Sequence, residues 1–236
     1  MRNLAYPSRI LEKRRRELLN QIDNHSDIIL LFNAPYKTRS YDTHFPYRPD
    51  SDFIYLSGFT EENSAIMLWK EKPNKVFYQI FVLPKNPQLE HWNGVRVGPL
   101  RAKKLTGAFE AFEISQLEAQ MLKWLESRKK GSKIKLWSNA KVHFENQIIL
   151  DRILEKFNPT LRLGYEGIEA SGSAHAKIRK MRTVKDATEI SILRKSSQIN
   201  VEAHLDVMHH LKPGLRENQV QSIIEWNYHN AGCTGR

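Results

Sequence analysis

The residues best suited to chemistry lie between Arg39 and Phe59. There Tyr41, Phe45, Tyr47, Phe53, Tyr55 and Phe59 are interleaved with Arg39, Asp42, His44, Arg48, Asp50 and Asp52, and Pro46 and Pro49 interrupt the run. No amphipathic period accounts for this mixture. Composition alone favours an aromatic-rich loop packed on a sheet with its charges paired among themselves; a ligand site is the sharper alternative. Nine histidines are present, and His204, His209 and His210 are the main candidates for metal ligands. His209 and His210 are adjacent, so on a helix they point about 100° apart, whereas two ligands on one face need a spacing of three or four. A structural or exposed role fits them better. Cys233 is the single cysteine, near the terminus and without a recognisable base beside it, so its thiol reads as incidental. There is no phosphate-binding glycine loop, no His-Glu-x-x-His, no nucleophile elbow and no dinucleotide fingerprint.

The elements that must position these residues come from a chain of 236 amino acids, 40% hydrophobic and 10% aromatic, enough to bury one large core or two modest ones. One cysteine excludes an internal disulfide and a cysteine-based zinc site and fits a reducing compartment. Apolar runs such as 28–32 and 65–69 fall far below the roughly 20 residues of a membrane helix. The amino terminus lacks the apolar region of a secretory signal, and Glu12 and Glu17 argue against a transit peptide, so a cytoplasmic protein is expected, without membrane association. The net charge of +11 raises the question of nucleic acid. The densest run, Lys13-Arg14-Arg15-Arg16, falls in an amphipathic helix whose Ile10, Leu11, Leu18 and Ile22 share one arc. Arg14 lies inside that arc and must snorkel or find a partner, and the others are expected to face solvent. No nucleic-acid partner is expected.

Asp27 to Asn33 reads as a short strand buried on both faces. Ala65 to Trp69 and Val76 to Leu83 read as a hairpin, and the segment that carries Trp92-Asn-Gly94 reads as a loop. Ser115 and Glu118 form a capping box for a helix to Lys130 with Leu117, Met121, Trp124 and Leu125 on one face, stopped by Gly131. A strand at Ile134 to Trp137 and a helix near Val142 to Phe157 follow. Alternating strands and helices imply an α/β fold, a mixed β-sheet flanked by helices. Residues 164 to 175 hold three glycines and suggest a domain boundary, placed at 172/173. Thr183 and Asp186 open a long helix to about Leu211. Its stripe of Ile190, Leu193, Ser197, Val201, His204, Met208 and Leu211 wants a large partner surface, and a further helix runs from Glu217 to about Ala231.

The Arg39 to Phe59 segment, with its Arg-Ser-x-Asp start, Pro46-Tyr-Arg48, Ser51-Asp-Phe53 and Gly58-Phe59, resembles the N-terminal domain of bacterial Xaa-Pro aminopeptidases (aminopeptidase P). Trp92-Asn-Gly-Val-Arg-Val-Gly98 resembles the Trp-x-Gly-x-Arg element of the same family. Met181-Arg-Thr-Val-Lys-Asp-Ala-Thr-Glu-Ile190, Leu193-Arg194 and Pro213-Gly214-Leu-Arg-Glu217 resemble the opening of its catalytic domain, a pattern shared with prolidases. The resemblance implies a creatinase/aminopeptidase P N-terminal domain over 1–172, then the first helices of an incomplete pita-bread metallopeptidase domain over 173–236. It implies removal of the N-terminal residue from peptides with proline second, by a metal-bridging hydroxide on two manganese ions. The family's two Asp, one His and two Glu ligands would lie downstream of Arg236, so no residue here is assigned as catalytic or as a metal ligand. It further implies a homo-oligomer in which Asp42 and Trp92 bind substrate across the interface with a neighbouring subunit; packing of Trp92 on its own domain and an Asp42–Arg39 pair are the alternatives. Two rival readings are a non-catalytic interaction protein that retains the fold and, on charge alone, a basic nucleic-acid binder.

On this reading the chain alone neither binds manganese tightly nor cleaves Xaa-Pro peptides, because a two-metal site needs carboxylates and imidazole close together. Release of an N-terminal residue by the purified 236-residue chain, abolished by a chelator, would contradict it.

Overall fold

The structure is a computed structural model that describes residues 6–22, 27–72, 75–128, 134–139, 144–157 and 168–233. It divides into two compact units, Met1–Arg182 and Thr183–Arg236.

The first unit is organised around strand β1 (Ile28–Phe32), whose five side chains are all at most 2% exposed. A strand this apolar needs sheet neighbours on both edges and cover on both faces. Strand β4 (Ala65–Lys72) pairs with it antiparallel, Ile28 opposite Trp69, and strand β7 (Ile134–Ser138) pairs parallel on the other side. Strand β5 (Lys75–Val82), strand β6 (Glu110–Glu113) and strand β8 (Ile168–Ser173) complete a mixed six-stranded sheet in the order β6-β5-β4-β1-β7-β8. The alternation of side chains along the strands sends Ile29, Leu31, Ile66, Leu68, Ile80 and Val82 to one face and Ile28, Leu30, Phe32, Met67, Trp69 and Phe81 to the other. Helices α1 (Ser8–Asn20), α2 (Ser51–Ser57), α4 (Gly98–Thr106) and α7 (Ala174–Thr183) cover the first face; α5 (Leu117–Glu126) and α6 (Phe144–Phe157) cover the second. The expected mixed sheet flanked by helices is the observed architecture.

Several local expectations are corrected. Arg15 does not face solvent: it is 4% exposed and donates to the carbonyls of Leu56 (2.9 Å) and Thr106 (3.4 Å), with its guanidinium 4.1 Å from the Tyr78 ring. Arg14, also buried, donates to the Tyr55 carbonyl (3.1 Å) and lies between the rings of Tyr6 and Tyr55. Both arginines satisfy the orphan carbonyls at the end of α2, which is where a cation gains most from the helix dipole. Lys70 does the same for α1, donating to the carbonyls of Leu19 and Ile22. Part of the basic run is therefore unavailable to any phosphate. The box predicted at Ser115 and Glu118 forms instead between Glu113 and Gln116, since Ser115 already lies inside a 3-10 turn. The helix α5 stops at Glu126, and Gly131 lies outside the described residues.

Part of the glycine-rich segment is an edge strand, β8, and the first compact unit extends past 172/173 to Arg182 because Ala174, Ile178 and Met181 of α7 bury into its core. In the second unit, Asp186 rather than Thr183 caps α8 (Ala187–His210): Asp186 accepts from the Glu189 amide (2.9 Å) and Glu189 accepts from that of Asp186 (3.0 Å). Thr183 cannot serve because it ends α7. Helix α9 (Glu217–Asn230) packs on α8, with Asn227 donating to Asp206 at 2.8 Å. The α8 stripe is largely exposed, Met208 and Leu211 among it. Among the described residues no helix is long and apolar enough to cross a membrane.

Asp27, at the start of β1, is buried and accepts from Trp137 Nε1 at 3.0 Å. Burial pushes its carboxyl above the usual range, opposed by hydrogen bonds from Trp137 and the Lys135 backbone and by the charges of Lys135 and Lys70. A carboxyl raised in the folded state costs stability as pH rises through its folded value. Asp27→Asn should therefore raise the urea midpoint at pH 7, with the gap to the wild type closing towards pH 4; a gap independent of pH would contradict this.

Candidate functional site

Where β1 ends, the chain turns polar and enters the segment singled out by its residue types. Asn33 is 1% exposed and donates to the Glu61 carbonyl (2.6 Å) while accepting from the Asp50 amide (2.8 Å). Asn139, past the end of the neighbouring β7, accepts from the Phe32 amide (2.8 Å) and donates to the Phe32 carbonyl (2.9 Å) and to Asp50 Oδ1 (3.1 Å). Asp50 in turn caps α2 by accepting from the amides of Asp52 and Phe53. Gly58 closes that helix at φ 66°, a left-handed conformation that glycine adopts without a Cβ clash. Sequence reasoning placed no helix here; Asp50 as a cap and Gly58 as a stop were the available signals.

Between these anchors, residues 34 to 50 fold back on themselves. Tyr47 donates to the Ala34 carbonyl at 2.9 Å; burial, then the nearby charges of Glu62, Asp50 and Glu61, hold its phenol above its usual range, so it remains a donor. Tyr36 packs against His44 and Tyr47, with ring centroids 5.1 and 5.0 Å apart. A cleft of about 370 Å3 lies along this stretch, lined by Pro35, Lys37, Phe45, Tyr47, Arg48 and Pro49 among others. Strands β2 (Thr38–Ser40) and β3 (Thr43–His44) form a hairpin whose two-residue tip is Tyr41-Asp42. Tyr41 is held at φ 44° and is 99% exposed, and Asp42 beside it is exposed. The turn thus leaves Asp42 in solvent.

Trp92 is not in a loop, as expected, but on the short helix α3 (Pro87–Asn93). Asn86 caps it, accepting from the Leu89 amide, and Pro87 suits its first turn. Trp92 is 82% exposed and makes a T-shaped ring contact with His91. A side chain of this size left in solvent is not a packing anchor of its own domain. Nothing pairs Asp42 with Arg39 among the described residues. The structure presents Asp42 and Trp92 on separate elements, and no hydrogen bond or ring contact joins them.

The histidine candidates stay structural. His204, His209 and His210 each place Nδ1 2.7 to 2.9 Å from the carbonyl four residues earlier, as local bonds along α8. Among the described residues no three His, Cys, Asp or Glu side chains converge as a metal would require. Cys233 is a free, partly buried thiol. A larger hollow of about 510 Å3 lines α9, with Leu215, Val220, Ile224 and Tyr228 on its walls, and contains none of the sequence candidates.

The sequence profile of the aminopeptidase P N-terminal domain matches residues 11–134. This chain belongs to the aminopeptidase P family. It is 32% identical to the Xaa-Pro aminopeptidase of Haemophilus influenzae over 238 aligned residues, covering 97% of this chain and 50% of that protein. It is 28% identical to the Xaa-Pro aminopeptidase of Escherichia coli, covering 93% and 49%. Zinc-substituted E. coli aminopeptidase P in complex with product superimposes with a TM-score of 0.86 at 25% identity, over 96% of this chain and 50% of that one. The chain spans about half the length of these relatives.

The left-handed Tyr41 costs about 1 to 2 kcal/mol relative to an unstrained residue, partly offset by the greater unfolded-state freedom of glycine. Tyr41→Gly should therefore stabilise the chain by about 0.5 to 1 kcal/mol in urea unfolding. A destabilised variant would show that the tyrosine ring, not the backbone, holds the turn.

Proposed function

We propose that this chain is the N-terminal part of a manganese-dependent Xaa-Pro aminopeptidase, acting on peptides with proline second, and that it serves oligomerisation and the shaping of a substrate cleft. The second unit is then the start of a pita-bread domain. The metal ions and the reacting groups lie outside this chain, whose own contribution is positional. The observation that carries the reading is the pairing of a family match over 11–134 with two exposed side chains, Asp42 at a hairpin tip and Trp92 on a capped short helix. A tertiary Xaa-Pro amide lacks an N–H, so recognition must come from shape, and an indole offers a flat apolar wall. An exposed carboxylate such as that of Asp42 accepts a hydrogen bond from a peptide N–H or draws a cationic group.

In this reading Asp42 and Trp92 reach a neighbouring subunit's cleft, so the enzyme is a homo-oligomer. The test is a chimera that joins this chain to the C-terminal half of the Haemophilus influenzae relative. Trp92→Ala should lower kcat/KM for longer Xaa-Pro peptides by about 1 to 3 kcal/mol in transition-state terms, with metal content and oligomeric state unchanged. Asp42→Asn should act in the same direction but more weakly. Unchanged kinetics for both variants on short and long peptides, in a preserved oligomer, would refute the cleft role.

A further inference from the structure

The buried carboxylate of Asp52 plays no part in the proposed cleft, yet both of its oxygens are engaged by another helix. Asp52 lies in the first turn of α2 and is 1% exposed. Both of its oxygens face α7. Oδ1 accepts from Arg182 Nη1 at 2.8 Å, and Oδ2 is hydrogen-bonded to His175 Nδ1. The two donors stand near opposite ends of α7, seven positions apart. On a helix that spacing is two turns, which puts them on the same face as Ile178, the side chain that enters the core between them. One carboxylate thereby spans nearly the whole length of the helix.

We propose that Asp52, His175 and Arg182 form a latch that fixes α7 to α2 and can open without unfolding the sheet. Three observations carry this. The apolar hold on α7 is small, since only Ala174, Ile178 and Met181 are buried. Lys177 adds a further polar hold from this helix to another element, donating to the Gln21 carbonyl (3.1 Å) and lying 4.9 Å from the Trp137 ring. Asp52 itself cannot relax: a buried carboxylate that loses a partner remains an uncompensated charge, so the two donors are needed together. His175 and Arg182 keep 36% of their side-chain surface in water, and the donor side of the latch is therefore open to solvent although the carboxylate is not.

The latch also reaches the segment that bears Asp42. Asp50, two residues before Asp52, caps α2 and accepts from Asn139, and its own amide donates to Asn33. The anchorage of α7 and the amino-terminal anchor of α2 are thus set by neighbouring residues of one turn. Since α7 ends at Thr183, where the second unit begins, Asp52 decides how firmly the departing chain is held at that point. Asp52 is a positioning residue.

Hydrogen exchange read by mass spectrometry on the full chain tests this, with intrinsic rates held constant by working at one pH. Arg182→Met, at a half-exposed side chain that tolerates change, should speed exchange across residues 174–183 at least about tenfold while residues 28–32 and 65–69 keep wild-type protection. Asp52→Asn should do the same, and the double variant should add little beyond either single change, as expected for partners in one interaction. Arg182→Lys, which keeps a cation, should recover part of the protection. Two results would overturn the proposal: wild-type exchange at 174–183 in Arg182→Met, or a uniform rise over all strands, which would make Asp52 an ordinary part of the global core.

Discussion

A strand whose every side chain is buried dictates most of this molecule. Ile28 to Phe32 has no face on which water can reach it, so its backbone must be paired on both edges and its side chains covered on both sides. Those two requirements produce a sheet with β1 near its middle and helices above and below. They also determine what happens where the strand stops. The chain leaves an apolar interior at Asn33, and its main-chain groups there must be satisfied before it can reach the surface. Asn33, Asn139 and Asp50 meet that need, so the fold's end of β1 and the start of the aromatic segment are one hydrogen-bonded unit.

The same accounting explains the unusual use of positive charge. Helix carboxyl ends packed against the sheet cannot give their last carbonyls to water, and here Arg14, Arg15 and Lys70 supply the missing donors. Long aliphatic stems let these side chains cross apolar packing, and the rings of Tyr55 and Tyr78 solvate the guanidiniums. Buried cations of this kind are paired with carbonyl dipoles. Asp52 is the converse case, a buried anion that draws its partners from another helix.

With its structural residues committed inward, the domain leaves a few side chains with no internal task. Tyr41, Asp42 and Trp92 are exposed, on a hairpin tip and a capped short helix. They lie in a chain that matches about half of each relative.

By itself the sequence determined the elements whose signals are local. The unbroken apolar run of β1, the β4–β5 pair, the α5 face of Leu117, Met121, Trp124 and Leu125 and the alternation of strands and helices all follow from periodicity within a window of residues. The family motifs around Asp42 and Trp92 were legible in the same way. Tertiary structure decided everything that depends on a distant partner. Arg15 reads as one more exposed cation until the end of α2 is placed over it. Asp52 reads as a loop acid until α7, more than a hundred positions on, delivers His175 and Arg182 to its two oxygens. Gly172 reads as part of a linker because a sheet edge supplies hydrogen bonds that composition cannot announce. In each case the energy lies in long-range burial and pairing, which no local pattern encodes.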